Sequence, residues 1–452
     1  MQTDLTKDSV LKTIVRFSLP YLAAYFLQTL YGLADLFITG QFNGAETITA
    51  VSNGSQIMHF VTVMIVGLSV GTTVMIGHAV GGRNQEKIGK IIGNTVTVFA
   101  GAALLMTALL LFAAHGIVQI MQAPPEAEEG MLAYIMICFA GIPFITAYNV
   151  IAAVFRGLGD SRTPMLFVLI ACVLNIGLDY LFIGAFSMGA AGAAMATVIA
   201  QSVSVIMSLI VIIKRDTGIH MTAADLRPER EVIDGFVRIG LPIACQDGFI
   251  QVSFLVITAI ANSRGVEIAA AVGIVEKIIT FLFLVPSSMM STISSVGAQA
   301  IGAELYERAR KILFTGMAAA VAVGLVFAVA YQFISEPVLS AFTDNEEVVR
   351  YGTQYIRTYI TDCVFAWIHF CFSGYFSCCG LSLWSFVHNA CSIVLVRIPG
   401  AYLASKLFPD TLYPMGMAAP AGSLLSVAIC VVVYIYIQKK TRFGGPDNPS
   451  KR

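Results

Sequence analysis

From position 14 to position 437 the chain is a succession of apolar stretches, each closed by glycine, proline or charge. A stretch needs about 20 residues to cross the hydrocarbon of a bilayer. Twelve such spans are legible, at 14–39, 47–80, 88–115, 131–155, 163–184, 189–213, 235–261, 266–300, 309–334, 348–377, 382–405 and 414–437. Lipid offers a backbone no hydrogen-bond partners, so runs of this length predict helices. Several exceed the minimum, which predicts tilt or bending. Only 12% of the 452 residues are charged and 57% are apolar, too few charges to cover a soluble surface. The expectation is an all-α polytopic membrane protein of twelve transmembrane helices. Its first apolar run is too long for a cleavable leader and reads as a retained helix.

Charge excludes some functions and orients the chain. Basic and acidic residues balance at 27 each, so no basic field points to nucleic acid. No GxxxxGK[ST] phosphate loop supports direct ATP drive. The nine cysteines all fall inside apolar stretches, odd in number and without CxxC spacing, and read as packing residues. No cofactor and no metal is expected beyond a coupling ion. Of the 27 basic residues, 21 fall at the two termini and in the even-numbered loops. That asymmetry predicts a multi-pass protein of the cytoplasmic (inner) membrane with both termini cytoplasmic.

The two halves repeat. Arg16-Phe-Ser-Leu-Pro20 recurs as Arg238-Ile-Gly-Leu-Pro242, each opening an odd-numbered span. Gly77 and Gly82 before one basic loop recur as Gly297 and Gly302 before another, with 62 and 60 residues from proline to second glycine. Each half holds an even number of spans, so the repeats are parallel, as in duplicated transporters. The predicted organisation is an N-lobe over 1–215, a cytoplasmic loop over 216–234, a C-lobe over 235–437 and a tail over 438–452.

Ionisable residues inside such spans cost roughly 2.5–3.5 kcal/mol on insertion scales and usually face a cavity that binds or relays ions. Asp35 in span 1 and Asp179 in span 5 lie at similar depth, with Asn175 one turn before Asp179 and Thr197 about two turns into span 6. Two carboxylates, an amide and a hydroxyl at one level suit a shared proton or a Na⁺, and residues alone do not choose between them. Pro20 and Pro242 each remove a helical hydrogen bond, so both predict a bend, static or moving. His59, His369 and His388 read as satisfied packing residues.

The motifs Ser-Leu-Pro20, Gly32-Leu-Ala-Asp35, Gly77 to Lys90, Arg156-Gly-Leu-Gly-Asp160-Ser-Arg-Thr-Pro164 and Asn175-Ile-Gly-Leu-Asp179-Tyr180 occur in one order and spacing. In this set the sequence resembles the multidrug and toxic compound extrusion (MATE) family, from Arg16 to about Ile437. The resemblance implies two six-helix lobes in a V and cation-driven antiport, by alternating access, of small amphipathic, often cationic organic compounds. It places Asp35, Asp179, Asn175 and Thr197 in the N-lobe cation site, with Gln28, Tyr31 and Asn149 lining the substrate cavity beside Pro20. NorM-type members carry acidic residues in spans 7 and 10, where this chain has Gln251 and a position near Ala366. Asp247 and Asp362 stand about one turn away on each helix. The departure favours a DinF-like reading. Glu276, Lys277, Gln251 and Asp362 make a second polar site in the C-lobe, with Arg397 as a partner for Glu276. Partners are small-molecule substrates and membrane lipid, with no nucleic acid, and a monomer is expected.

Two other functions share features with this sequence. Gly157-Leu-Gly-Asp160 spells the GxGD of intramembrane aspartyl proteases, but Asp160 between Arg156 and Arg162 reads as a turn and helix cap. A lipid-linked oligosaccharide flippase shares the duplicated architecture, yet would line its cavity with several arginines or lysines, and only Lys277 and Arg397 read as clearly inside the membrane here.

Overall fold

Apolar sequence in lipid must satisfy its backbone internally, and the chain does so with helices. The computed structural model describes residues 5, 7–121, 124–214 and 222–442, and no strand occurs among them. The tail beyond Arg442 and loop residues 215–221 lie outside the described residues, so the predicted tail and part of the predicted loop do too.

In chain order the first half comprises α1 (Val10–Phe42), α2 (Ala45–Gly81), α3 (Gln85–Ile120), α4 (Pro125–Ala140), α5 (Ile142–Gly157), α6 (Arg162–Asp179) and α7 (Gly189–Lys214). The second comprises α8 (Arg230–Asn262), α9 (Val266–Leu282), α10 (Leu284–Gly302), α11 (Tyr306–Ser340), α12 (Glu346–Tyr359), α13 (Asp362–Cys378), α14 (Leu383–Ser392), α15 (Ile398–Leu407), α16 (Tyr413–Gly416) and α17 (Ala418–Arg442).

Ten of these helical segments are long and apolar enough to cross a membrane. An eleventh is the pair α4 and α5, bent by 49° at Gly141. Pro143 just inside α5 accounts for that break, because its nitrogen cannot continue the ladder. The segment predicted at 348–377 is divided between α12 and α13, neither reaching 18 residues. Helix α12 carries Glu346, Glu347, Arg350 and Arg357 and is amphipathic, which is why it falls short on apolarity. The run predicted at 266–300 is likewise two helices, divided at Phe283.

The chain forms two compact units. One runs from Leu19 to Gly240, and the other from Leu241 onward together with Thr6–Ser18. Helices α1 and α8 therefore each pass from one unit to the other, and the changeover falls at the residue before Pro20 and before Pro242. Both helices run on through their prolines. In the first unit the opening turns of α8 pack backbone to backbone on α2. A Cβ on Gly71 would lie 2.1 Å from the carbonyl oxygen of Phe236, and one on Gly240 would lie 2.3 Å from that of Leu68. Only glycine permits that approach.

The segment before α8 is tied to the same unit. Asn94 on α3 donates to the Asp225 carbonyl at 3.2 Å, and Thr97 donates to the Leu226 carbonyl at 2.8 Å. The Glu229 amide donates back to Asn94 Oδ1 at 2.5 Å. Thr222 and Asp225 form a reciprocal capping box around the short 3₁₀ turn Ala223–Leu226. The Thr222 amide and hydroxyl hold the Asp225 carboxyl below the usual carboxylate range. In the second unit, α13 is the central helix, packed against α10, α11 and α17. All nine cysteines are free, six of them buried.

Candidate functional site

Three helices of the first unit bring the predicted N-lobe residues together. Asp35 sits on α1, Asn175 and Asp179 on α6, and Thr197 on α7. Asp35, Asn175 and Asp179 are 4%, 2% and 0% exposed, so the site is closed to solvent on the scale of a side chain. The Thr197 hydroxyl donates to Asp35 Oδ2 at 3.4 Å and accepts from Asn175 Nδ2 at 3.5 Å. These contacts are long. Asp179 lies beside Asp35 at the edge of hydrogen-bond reach. Asp35 Oδ1, Asn175 Oδ1 and both carboxyl oxygens of Asp179 meet no donor.

Four unpartnered buried oxygens around one point are a chemical demand rather than a packing detail. Buried polar atoms almost always find partners, and carboxylates at close range resist ionising together. The groups acting on the pair are each other, Asn175 and Thr197, none of them basic. A proton between the carboxyls, or a hard monovalent cation among the oxygens, meets the demand. No cluster of three His, Cys, Asp or Glu able to hold a metal occurs among the described residues, so a transition metal does not fit.

Local structure aims Asp179. Helix α6 ends at this residue and a π-helical turn follows over Tyr180–Ala185, with the Phe186 amide bonded to the Leu181 carbonyl at 2.9 Å. The wider turn shifts the helical phase at the carboxylate, a distortion common at functional sites. Nothing in the sequence pattern announced it.

The expected cavity residues divide. Tyr31 lies one turn before Asp35 and reaches Gln201 on α7. Gln28, half-buried, stands on the same face of α1 one turn earlier. Asn149 is buried, and its Nδ2 donates one of its two N–H groups at 2.8 Å to the Ile145 carbonyl of its own helix. Pro20 is fifteen residues before Asp35 on a continuous helix, roughly 22 Å away along the axis, and is not part of this site. Sequence reasoning missed Gln201, buried with Oε1 unpartnered, although it lies one turn after Thr197 on the same face. It also missed Tyr134 and Cys138, which close the site from α4. A Cβ on Gly54 would sit 2.4 Å from the Tyr134 ring, so α2 makes room for that tyrosine.

The second unit holds its own polar group. Glu276 on α9 accepts from the Thr258 hydroxyl at 2.9 Å. Arg397 closes a π-helical turn over Ile393–Arg397, donates to the Tyr359 hydroxyl at 2.5 Å and lies 4.9 Å from the Phe254 ring centroid. Its charge reaches both Glu276 and Asp362. Asp362 Oδ1, Glu276 Oε1 and Arg397 Nε have no partner. Lys277 is exposed and does not join them, because adjacent residues on a helix diverge by about 100°. Gln251 is half-buried on α8, two turns before Thr258.

Residues 20–181 and 242–403 match the MatE family, two segments of equal length that together cover most of the chain. The chain belongs to the MatE family. The paired match accounts for the repeat around Pro20 and Pro242. A probable multidrug resistance protein of Bacillus subtilis, YoeA, is 24% identical over 448 residues, covering 96% of both chains. A second, YpnP, is 27% identical over 433 residues, again covering 96% of both. An outward-facing multidrug resistance MATE transporter of the MOP superfamily superposes with a TM-score of 0.91 at 23% identity, over 98% of this chain and 99% of that one. This MatE member is thus a multi-pass membrane transporter and not an enzyme. Its GxGD aspartate is occupied accordingly: Asp160 Oδ1 accepts from the Arg162 and Thr163 amides at 3.0 Å, and Oδ2 accepts from the Thr163 hydroxyl at 2.6 Å, capping α6.

Proposed function

We propose that this transporter exports small amphipathic, often cationic organic compounds in exchange for H⁺ or Na⁺, by alternating access. The observation that carries the reading is the Asp35–Asp179 pair, buried beside an amide and a hydroxyl and without a basic neighbour. Such a pair in a membrane interior is charge-unbalanced, so it is stable when it holds one cation and strained when empty. Loading and unloading then biases the packing of α1, α6 and α7 around it, which is the form a coupling site takes. Tyr31, Gln28 and Gln201 supply polar contacts near the site, and Pro20 supplies a weak point in α1 away from it. The reading places the protein in the cytoplasmic membrane as a monomer with both termini cytoplasmic, following its basic-residue asymmetry. It takes a DinF-like rather than NorM-like assignment, because Gln251 stands where NorM-type members carry an acid. The multidrug names of its relatives support the substrate class.

The test is efflux of ethidium from proteoliposomes under an imposed pH or Na⁺ gradient, wild type beside Asp35→Asn. Movement driven by one gradient and lost in the variant is the expected result, and it names the ion. Wild-type rates in a correctly inserted Asp35→Asn protein would overturn the coupling assignment. No movement under either gradient would turn the reading toward a lipid-linked oligosaccharide flippase.

A further inference from the structure

The transport reading leaves unused a second set of buried titratable groups, in the interior of the second unit. His369 on α13 and His388 on α14 are 5% and 0% exposed, with ring centroids 5.3 Å apart at 63°. His388 Nε2 lies 2.9 Å from the Ser373 hydroxyl, and the Ser385 hydroxyl donates to the Ser373 carbonyl at 3.2 Å. The Ser426 hydroxyl of α17 donates to the His388 carbonyl at 3.1 Å and fixes that turn of α14. Nδ1 of both rings has no partner. Two turns before His369 on the same helix, Asp362 Oδ1 is also unpartnered, as is Nε of its neighbour Arg397.

A packing pair would be expected to satisfy its ring nitrogens, because each unpaired buried polar atom costs about 1–3 kcal/mol. Four such atoms in the interior of one unit call for water, which bridges buried polar groups that cannot reach one another. Seven residues, roughly 10 Å of helix, separate Asp362 from His369, more than a direct hydrogen bond spans. The charged or titratable groups facing these atoms are His388 and Arg397 for His369, and Tyr359, Asp362, Tyr355 and Glu276 around Arg397.

We propose that His369 and His388 form a hydrated proton-transfer station inside the second unit, joining Asp362 and Arg397 to the hydroxyls of Ser373 and Ser385. A neutral imidazole carries one N–H and one bare nitrogen. It takes a proton from water or its neighbour at the bare nitrogen and gives up the other, so one proton advances and the ring stays neutral. The site resets when the ring turns over and brings its N–H back to the donating side before the next proton arrives. The ligand of the site is water, and the station is separate from the Asp35–Asp179 pair.

Two measurements test it. In full-length protein with ¹⁵N-ring-labelled histidine, reconstituted in phosphatidylcholine–phosphatidylglycerol vesicles, the His369 and His388 N–H signals are followed after transfer to D₂O. They are assigned by their loss in His369→Gln and His388→Gln. Exchange within minutes is expected; protection lasting days means a dry pair and overturns the proposal. The second is a pH jump with pyranine in an Asp35→Asn/Asp179→Asn background, so that proton uptake by the second unit is read without the first. His388→Gln is expected to slow that uptake about tenfold, corresponding to roughly 1.4 kcal/mol in the barrier. An unchanged rate removes the transfer role. If the glutamine variant does not fold, D₂O exchange in the wild-type protein decides alone, with the two signals assigned by His369→Asn and His388→Asn. The Asp35 test of coupling stands or falls independently of both.

Discussion

The two units place ionisable groups in the fifth span of each repeat, yet they arrive at opposite charge arrangements. In the first, α6 delivers Asp179 to Asp35 and no basic side chain acts on either. In the second, α14 and its π turn deliver Arg397 to Glu276 and Asp362, so one guanidinium offsets two carboxyls. In both, a π-helical turn adjoins the key residue, at Tyr180–Ala185 and at Ile393–Arg397. Duplication kept the device and changed its charge. A pair without a counter-ion must exchange cations with its surroundings to remain buried, whereas a pair around a fixed arginine has most of its compensation built in. On the proposed reading the coupling ion belongs to the first unit, while Glu276 and Asp362 of the second keep their charge compensation in Arg397.

The comparison breaks most readily at the first site. Asp35→Asn and Asp179→Asn should each reduce gradient-driven ethidium export to background at matched membrane levels. The double variant should be no worse than either, because groups that act as one unit are not additive. Clear additivity in proteoliposome flux would mean that the two carboxyls act separately. In the second unit the corresponding change is Arg397→Gln, which leaves Glu276 and Asp362 without their shared cation. It should lower stability by roughly 3 kcal/mol, read as a fall in melting temperature, and adding Glu276→Gln should restore part of the loss. A full-stability Arg397→Gln protein would remove the contrast between the units.

Two milder changes sharpen the comparison. Gly54→Ala drives a methyl into the Tyr134 ring and should cost about 1–3 kcal/mol in thermal unfolding while leaving the second unit's local stability unchanged. Thr197→Val removes the hydroxyl donor to Asp35, worth about 1 kcal/mol, and should shift the half-saturating ion concentration several-fold rather than abolish transport. The smallest effect belongs to the linker. Burial plays little part at Asp225; its carboxyl is held low by Thr222, so the cap is complete at neutral pH. It is lost as the pH falls below the ordinary carboxylate range toward the folded value, because the unfolded chain binds the proton first. Amide exchange at Thr222 and Asp225 should therefore speed up in acid after correction for intrinsic rates, and Asp225→Asn should flatten that response.

Much of the fold was legible because lipid allows so few solutions. Apolar length dictated helices, and the repeated Leu-Pro motifs marked where each repeat begins. The Asp35, Asn175, Asp179 and Thr197 constellation was legible because intramembrane polar residues are rare and helical spacing sets their depth. Position on a face was enough to link Asn175 to Asp179. Spacing alone also separates Pro20 from Asp35 by fifteen residues of one helix and turns Lys277 away from its neighbour Glu276.

What the sequence by itself determined was the class of molecule, the approximate order of its helices and the residues that cannot rest in lipid uncompensated. Tertiary structure decided which of those residues meet. His369 and His388 lie nineteen positions apart on different helices, and no periodicity links them; only the packing of α13 against α14 brings their rings to 5.3 Å. The π turns beside Asp179 and Arg397 are equally silent in composition, since a change of one residue in helical phase leaves hydropathy untouched. Pairwise contact between helices depends on how side chains interlock across them. A single strand of sequence carries the depth of each residue far better than it carries the direction in which that residue faces.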